Sequence, residues 1–510
     1  MLIQFILTLL IPVCGLTSFD GPPNLVLLTA DDLGYGDLNH PMTEMPNVND
    51  LIRDGLFFTQ FYTPGPLCTP SRSSMLTGRL PIRSGLYTNL DYPVDNEFRV
   101  FYPTSTGCLP KSETMISEYL KNSPLKYSTA MLGKWHLGHN NFSQCMPMYR
   151  GFDVSYYLPY SHEEGFPGPN PEAVIWPPVP LIDRDRIIQQ PVNLSLITQS
   201  LTSIAVSLLD EFSETKQPFF IHLAYSEVHV PLFVSDRFAN KSRRGLFGDS
   251  LLAMDDSIGQ ITRKLITTGL VRNTLVIFTS DNGAWTNPSS GLNNLNEYPF
   301  QGGSNAPFKD GKGSTWEGGV RIPAIFWWPG MIPGGSIIRN VASLLDIVPT
   351  FLELAGLNGL LSNVTLDGYS LVPMIFGKNI TSPYEFFYFW REHTLYAIRY
   401  GPYKAHYYTR SGFNNDPPVE WNPPLLYNVE WDAGELYPLN ITQYNDIYRI
   451  IDNEYYRHIG TMIYGIPQYD NQSWSVAPCC NGSIDVDKLL EYIKDRNWSL
   501  EMWDDLGCVC

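Results

Sequence analysis

The sequence predicts an α/β protein: a central, mainly parallel sheet flanked by helices, followed by a smaller C-terminal domain containing an antiparallel sheet. Asn24-Leu-Val-Leu-Leu-Thr-Ala30 is almost wholly apolar and runs into Asp31-Asp32 and a Gly34-Tyr-Gly36 turn, the pattern of a strand buried on both faces. The same grammar recurs at Thr274-Leu-Val-Ile-Phe-Thr-Ser280, which leads into Asp281-Asn282-Gly283. Around these runs, helix-periodic and strand-like stretches alternate, as they do in βα units wound into a parallel sheet.

Taken in order, Thr198 to Phe212 places Leu201, Ile204, Ala205, Leu208, Leu209 and Phe212 at helical spacing, and the apolar strand Pro218-Phe-Phe-Ile-His-Leu-Ala224 follows. Leu251 to Leu265 repeats the pattern with Met254, Ile258 and Ile261 before the strand at Thr274. From Glu385 the grammar changes. Phe386-Phe-Tyr-Phe-Trp390, Tyr396-Ala-Ile-Arg-Tyr400 and Lys404-Ala-His-Tyr-Tyr408 are short aromatic strands separated by turns, which suits an antiparallel sheet. Leu425-Leu-Tyr-Asn428 and the segment from Trp431 continue it, with a helix between Asp446 and Met462 and a cysteine cluster to close it. The expected division is therefore a signal peptide over 1–18, a larger domain over 19–384 and a C-terminal subdomain over 385–510.

Composition narrows the class. With 510 residues, 44% hydrophobic and 17% charged, the chain can bury a sizeable core and is too long for one small domain. A net charge of −17 and a pI near 4.9 argue against nucleic acid or an anionic membrane as general partners. An anionic substrate must then be held by a local cluster of cations. Leu2 to Leu16 is an apolar run broken only by Gln4, Thr8, Pro12 and Gly15, and it reads as a secretory signal cut near Ser18. No later stretch has the length and apolarity of a membrane span, so the mature chain is expected to be soluble. Nine Asn-x-Ser/Thr sequons agree with an extracytoplasmic route: Asn141, Asn193, Asn240, Asn363, Asn379, Asn440, Asn471, Asn481 and Asn497.

The chemistry centres on Cys68-Thr-Pro-Ser-Arg-Ser-Ser-Met-Leu-Thr-Gly-Arg79. Thr69 suits a helix cap and Pro70 a first turn, which places Cys68 just ahead of a helix N-terminus, where free N–H groups and the helix dipole favour an anion. Arg72, about one turn on, carries a fork that matches a tetrahedral oxyanion. The two acidic pairs, Asp31-Asp32 and Asp281-Asn282, both sit just past the carboxyl ends of predicted strands and so can converge on one crevice. Three carboxylates and an amide make a hard oxygen set suited to calcium, or less comfortably magnesium. In Gly133-Lys134-Trp-His136-Leu-Gly138, lysine and histidine two apart project to the same side of an extended segment. Ser161 in Leu158-Pro-Tyr-Ser-His162 is positioned to cap a turn, and His229 follows the strand at 218–224. Lys312 lies in the Gly-rich stretch Gly311-Lys312-Gly-Ser-Thr-Trp-Glu317-Gly-Gly-Val-Arg321-Ile-Pro323.

Cys68-x-Pro70-x-Arg72 with Ser74, Thr77, Gly78 and Arg79, the Gly-Lys-Trp-His-Leu-Gly stretch and the Gly-Lys to Arg-Ile-Pro stretch together resemble the motifs of type I, formylglycine-dependent sulfatases. The likeness runs from about residue 23 to the end and is closest to the arylsulfatase A and N-acetylgalactosamine-6-sulfatase group. It implies an alkaline-phosphatase-like fold and hydrolysis of sulfate monoesters of sugars, glycolipids or aryl alcohols. It further implies that Cys68 is converted to 3-oxoalanine (formylglycine), whose hydrate attacks sulfur, through a formylglycine-generating enzyme met during maturation. One calcium ion per chain would lie on Asp31, Asp32, Asp281 and Asn282 together with the group at Cys68. Arg72, Lys134 and Lys312 would hold the sulfate. His136 would hydrogen-bond the formylglycine hydroxyl, His229 would contact the ester and protonate the leaving oxygen, and Ser161 would line the pocket. Asp310 stands where close relatives often carry cysteine, so their disulfide at that position is not carried over.

Of the eight cysteines, removal of Cys14 with the signal and of Cys68 for chemistry leaves six, an even set for an oxidising compartment. Cys479, Cys480, Cys508 and Cys510 are expected to pair among themselves and Cys108 with Cys145, although the sequence leaves other connectivities open. These features point to a route through the endoplasmic reticulum, and the resemblance implies residence in the lysosome or outside the cell. The natural substrate and a homo-oligomeric state stay open. Two other functions fit part of the pattern: a phosphomonoester or phosphodiester hydrolase on the same fold, and a secreted glycoprotein that binds anions without chemistry.

Overall fold

The computed structural model describes residues 21–88, 99–140, 144–165, 176–286, 301–361, 364–377, 381–412 and 416–480, and most of 481–510 outside 493–499. The expected signal segment and the sequons at Asn141, Asn363, Asn379, Asn481 and Asn497 lie outside the described residues. Asn193, Asn240, Asn440 and Asn471 are exposed, as carriers of a glycan must be.

An 11-stranded sheet forms the larger layer. Its strands are β1 (Asn24–Ala30), β2 (Leu56–Tyr62), β3 (Ser128–Lys134), β4 (Val154–Leu158), β5 (Leu181–Asp183), β6 (Arg186–Gln189), β7 (Phe219–Ala224), β8 (Thr274–Ser280), β9 (Arg321–Trp327), β10 (Ser336–Ile338) and β11 (Ala342–Ser343). They run in the order β10-β2-β9-β8-β1-β7-β3-β4-β5-β6, with β11 also on β2. The centre, β8-β1-β7-β3-β4, is parallel throughout. β9 enters antiparallel between β2 and β8, and β5 and β6 make an antiparallel edge.

The apolar run of β1 explains its central place. Leu25 and Leu27 enter one core and Val26, Leu28 and Ala30 the other, so successive residues fill opposite faces of the sheet. The helix expected from 198 extends in both directions, Leu194–Thr215, and the one from 251 becomes Gly245–Thr267. Both pack on the second face and against each other, and the first of them also packs on β7. Among the described residues no helix is long and apolar enough to cross a membrane.

A second, four-stranded antiparallel sheet follows: β12 (Phe386–Arg391), β13 (Thr394–Tyr400), β14 (Tyr403–Thr409) and β15 (Val419–Asn428). The helix Asn445–Thr461 packs on it. The cysteine cluster lies elsewhere. Bonds Cys479–Cys508 and Cys480–Cys510 form the expected C-terminal pair set, with Cys108–Cys145 as the third. That terminal knot has its own small core around Trp503, and Cys510 exchanges backbone hydrogen bonds with Gln190 just beyond β6. The chain end thus returns to the far edge of the large sheet.

The two sheets are joined by a buried polar network. Glu317, just before β9, accepts from Lys404 Nζ of β14 at 2.9 Å and from Tyr62 Oη of β2 at 2.7 Å. Its backbone N–H donates to Glu435 at 2.6 Å, and Glu435 also takes His406 Nε2 at 2.6 Å. Burial opposes ionisation of Glu317, but Lys404, Arg321 and Arg399 outweigh it and bring the carboxyl down to about 2. A group depressed in this way adds stability above the ordinary glutamate range and loses it as pH falls from there toward 2. Glu317→Gln should therefore lower unfolding free energy by about 3 to 5 kcal/mol at neutral pH, since it removes the carboxylate that Lys404, Arg321 and Arg399 face and leaves Lys404 only Glu435, at 3.4 Å. In urea titrations the gap between wild type and variant should narrow as pH drops below the glutamate range. A pH-independent gap would deny Glu317 its charge.

Candidate active site

The register of the parallel strands assembles the site. Ala30 pairs with Ser280 across β1 and β8, so Asp31 and Asp281 leave the sheet side by side. On the other flank Thr29 pairs with Ala224 of β7, and Gly133 of β3 pairs with the same residue. The chain beyond β7 carries His229, β3 ends in Lys134, and β4 leads to Ser161. Five neighbouring strands thus deliver their polar groups to one edge. Gly133 makes this possible, with φ of 96° and a backbone so near Ala224 that an added Cβ would stand 1.9 Å from its carbonyl oxygen.

Cys68 opens the helix Cys68–Thr77, but the capping differs from expectation. Leu67 is the N-cap residue, with no side-chain cap, and Thr69 turns inward so that its hydroxyl donates to the carbonyl of His136 at 2.9 Å. The Lys134 and His136 geometry also differs. His136 is left-handed, φ 56°, so the segment bends after β3 and the two side chains do not share a face by strand alternation. Lys134 Nζ instead reaches Asp31 Oδ2 at 2.5 Å, Ser161 Oγ at 3.2 Å and Cys68 Sγ at 3.6 Å. His136 Nε2 meets the carbonyl of Phe101 at 3.0 Å. A carbonyl only accepts, so that nitrogen carries the proton, and the buried Nδ1, which has no partner among the described residues, is left as an acceptor.

Three carboxylates and three cations interlock in this interior. Arg72 is turned onto the acidic cluster: Nε and Nη2 donate to Asp281 Oδ2 at 3.0 and 2.8 Å, and Nη1 donates to the Lys134 carbonyl at 3.0 Å. Lys312 Nζ donates to Asp32 Oδ2 at 2.8 Å and to His229 Nε2 at 2.6 Å. His229 Nδ1 lies 2.6 Å from the Val230 carbonyl, so Nδ1 is the protonated nitrogen and Nε2 the acceptor from Lys312. Burial, with Lys312 and Lys134 adding to it, holds the His229 imidazole well below its usual range and keeps it neutral.

The carboxylates differ among themselves. Asp31 is held well below the ordinary range, because Lys134, Arg72 and Lys312 together outweigh its burial. Burial and its acidic neighbours Asp31 and Asp281 push Asp32 up to about 7. Asp281 is also raised, by burial and by Asp31. These three, with Asn282, are the oxygen donors the sequence singled out, and Asn282 Oδ1 is buried without a partner among the described residues. A hard cation is what such a set fits. Asp31, Asp32, Cys68 and His229 also each offer a ligand atom within 4.8 Å of the others, which adds His229 to the expected group. Cys68 Sγ lies 3.6 Å from Asp31 Oδ1, and burial pushes its thiol up, so the unmodified sulfur stays protonated.

Sequence reasoning passed over Glu163. Its Oε1 lies 3.8 Å from His229 Nε2. The run Ser161-His162-Glu163-Glu164, directly after a buried strand, was the available signal.

Comparison with known proteins gives the same assignment over most of the chain. Residues 23–357 match the sulfatase family model and residues 382–487 the model of the C-terminal region of aryl-sulfatase. Arylsulfatase A of Homo sapiens is 38% identical over 450 residues, covering 82% of this chain and 83% of that protein. N-acetylgalactosamine-6-sulfatase of Sus scrofa is 35% identical over 485 residues, covering 89% of each. Among solved structures, the PsFucS1 sulfatase from Pseudoalteromonas superposes with a TM-score of 0.73 at 27% identity, covering 89% of this chain and 92% of the other. Phosphonate monoester hydrolase from Silicibacter pomeroyi, at 15% identity and a TM-score of 0.58, shares the fold alone. With both of its family models matched and its cysteine, acidic pairs and lysines meeting at one sheet edge, this chain belongs to the sulfatase family.

Proposed function

We propose that the protein is a calcium-dependent formylglycine sulfatase of the secretory route, resident in the lysosome or outside the cell, acting on sulfate monoesters of a sugar, glycolipid or aryl alcohol. The observation that carries this reading is the convergence of Cys68 with Asp31, Lys134, Lys312 and His229 at the carboxyl ends of the central strands. The charge balance supports it. Asp31, Asp32 and Asp281 offset Arg72, Lys134 and Lys312, so a divalent ion on the carboxylates leaves the cationic charge free to meet an anionic ester. Formylglycine at position 68 supplies an oxygen nucleophile that a protonated, buried thiol does not.

The other residues have definite tasks. Lys134 and Lys312 hold the sulfuryl oxygens, and Arg72 braces Asp281 and the end of β3. His136 Nδ1, a buried acceptor without a partner among the described residues, takes a hydrogen bond from a hydroxyl on residue 68. His229 and Lys312 act as a unit: the neutral Nε2 already accepts from the ammonium, so a proton for the leaving oxygen reaches it from that side. A two-metal phosphatase is less favoured, since among the described residues one group of donors of this kind is present.

Cys68→Ala should abolish hydrolysis of nitrocatechol sulfate while leaving the thermal transition in place, and retained turnover would refute the assignment. Mass spectrometry of the peptide spanning Cys68 should show a species about 18 Da lighter than the cysteine form, the difference between thiol and aldehyde. Calcium should raise the melting temperature of chelator-treated protein, by up to about 2.7 kcal/mol of added stability at a hundredfold excess over its dissociation constant. An unchanged transition would remove the metal from the proposal. His229→Ala should slow a sugar sulfate by roughly 100-fold or more but nitrophenyl sulfate far less, because nitrophenolate leaves without a proton.

A further inference from the structure

The ring around the reacting centre is cationic on the sulfate side, yet one acidic side chain interrupts it. Ser161 to Glu164 forms a turn beyond β4, closed by Glu164 N–H donating to the Ser161 carbonyl at 3.2 Å. The turn is fixed at both sides. Ser161 Oγ takes Lys134 Nζ at 3.2 Å, and His162 Nε2 donates to the Pro231 carbonyl at 3.0 Å. The His162 ring stands edge-on to His229, 5.5 Å between centroids. Glu163 at the tip is therefore held over His229, with Oε1 3.8 Å from Nε2.

Two further observations mark this spot as facing a ligand. Glu163 is 19% exposed at its side chain, whereas the Lys134 and His229 side chains are 0% and that of Lys312 is 3%, so Glu163 lies where the sealed site opens. Among the described residues Glu163 Oε2 has no hydrogen-bond partner, nor has either oxygen of Glu164, a residue only 4% exposed. Burial raises both carboxyls, Glu164 well above the usual range with Glu163 adding to it, while Lys312 and Lys134 oppose the rise at Glu163. Buried carboxyl oxygens without partners are costly unless something completes them.

The sulfate is assigned to Lys134 and Lys312, and a carboxylate at Glu163 would repel it. What remains is the alcohol part of the ester, and His229, the neighbour of Glu163, is the residue assigned to the leaving oxygen. We propose that Glu163, backed by Glu164, is a specificity-determining residue of the leaving-group subsite: it accepts hydrogen bonds from hydroxyl or ammonium groups of the alcohol and rejects alcohols that carry a second anionic group beside the ester. The proposal rests on the sulfatase reading of the site and adds to it the class of alcohol accepted, neutral or cationic next to the scissile bond.

The test compares phenyl sulfate with salicyl sulfate, which bears a carboxylate beside the ester. Their kcat/KM ratio, measured for wild type and Glu163→Gln, cancels the intrinsic reactivities. The ratio should fall about tenfold in the variant, in line with removal of one charge a few ångströms from another in a partly screened site. Glu163→Asp, which keeps the charge, should hold most of the discrimination. A ratio within twofold of wild type in Glu163→Gln overturns the proposal. If wild type hydrolyses neither ester, the sulfatase reading itself fails, and the filter is then read by binding. On Cys68→Ala protein, calorimetry with 2-(aminomethyl)phenyl sulfate, phenyl sulfate and salicyl sulfate should give affinities falling in that order. The same series decides the matter if Glu163→Gln does not fold. Equal or reversed affinities, or no binding of any of the three, overturn the proposal.

Discussion

Three carboxylates buried within a few ångströms of one another are the constraint on which the rest of the site depends. Taking such groups out of water carries a cost that only opposite charge and hydrogen bonds recover. Lys134, Lys312 and Arg72 supply that charge, each through a direct contact with Asp31, Asp32 or Asp281. The partners are far apart along the chain, so the cluster also fastens together the ends of β1, β3 and β8, the helix at Cys68 and the loop at Lys312. The side chains proposed to bind substrate are also the braces of the structure.

This double use resolves the contrast between an acidic protein and an anionic substrate. The overall charge of −17 repels anions at long range, but that field is screened over about a Debye length. Inside the site the effective dielectric is lower and the cations are fixed, so attraction is concentrated where the ester is held.

The second sheet contributes by support. Lys404, His406 and Arg399 come from its strands and, with Glu435, close around Glu317 and Tyr62, while Glu317 lies five residues past Lys312. The loop that carries the third cation is thereby backed by a buried ionic network spanning both sheets. The C-terminal knot, tied by its disulfides, secures the opposite edge of the large sheet at Gln190.

By itself the sequence determined the strands, the acidic pairs and the place of Cys68 at the start of a helix. Continuous apolar runs admit one burial pattern, and the residues just past a parallel strand end have one place to go, so β1 and β8 with Asp31-Asp32 and Asp281-Asn282 were legible in full. It determined the cysteine pairing only as an expectation among alternatives. Tertiary structure decided everything that depends on direction. The bend at His136 turned its ring to Phe101 and left Nδ1 without a partner among the described residues, Thr69 turned inward instead of capping, Arg72 settled on Asp281, and Glu163 came to rest beside His229. Those outcomes follow from contacts between segments up to some 200 residues apart, and local periodicity, which encodes faces and lengths, contains no term for them.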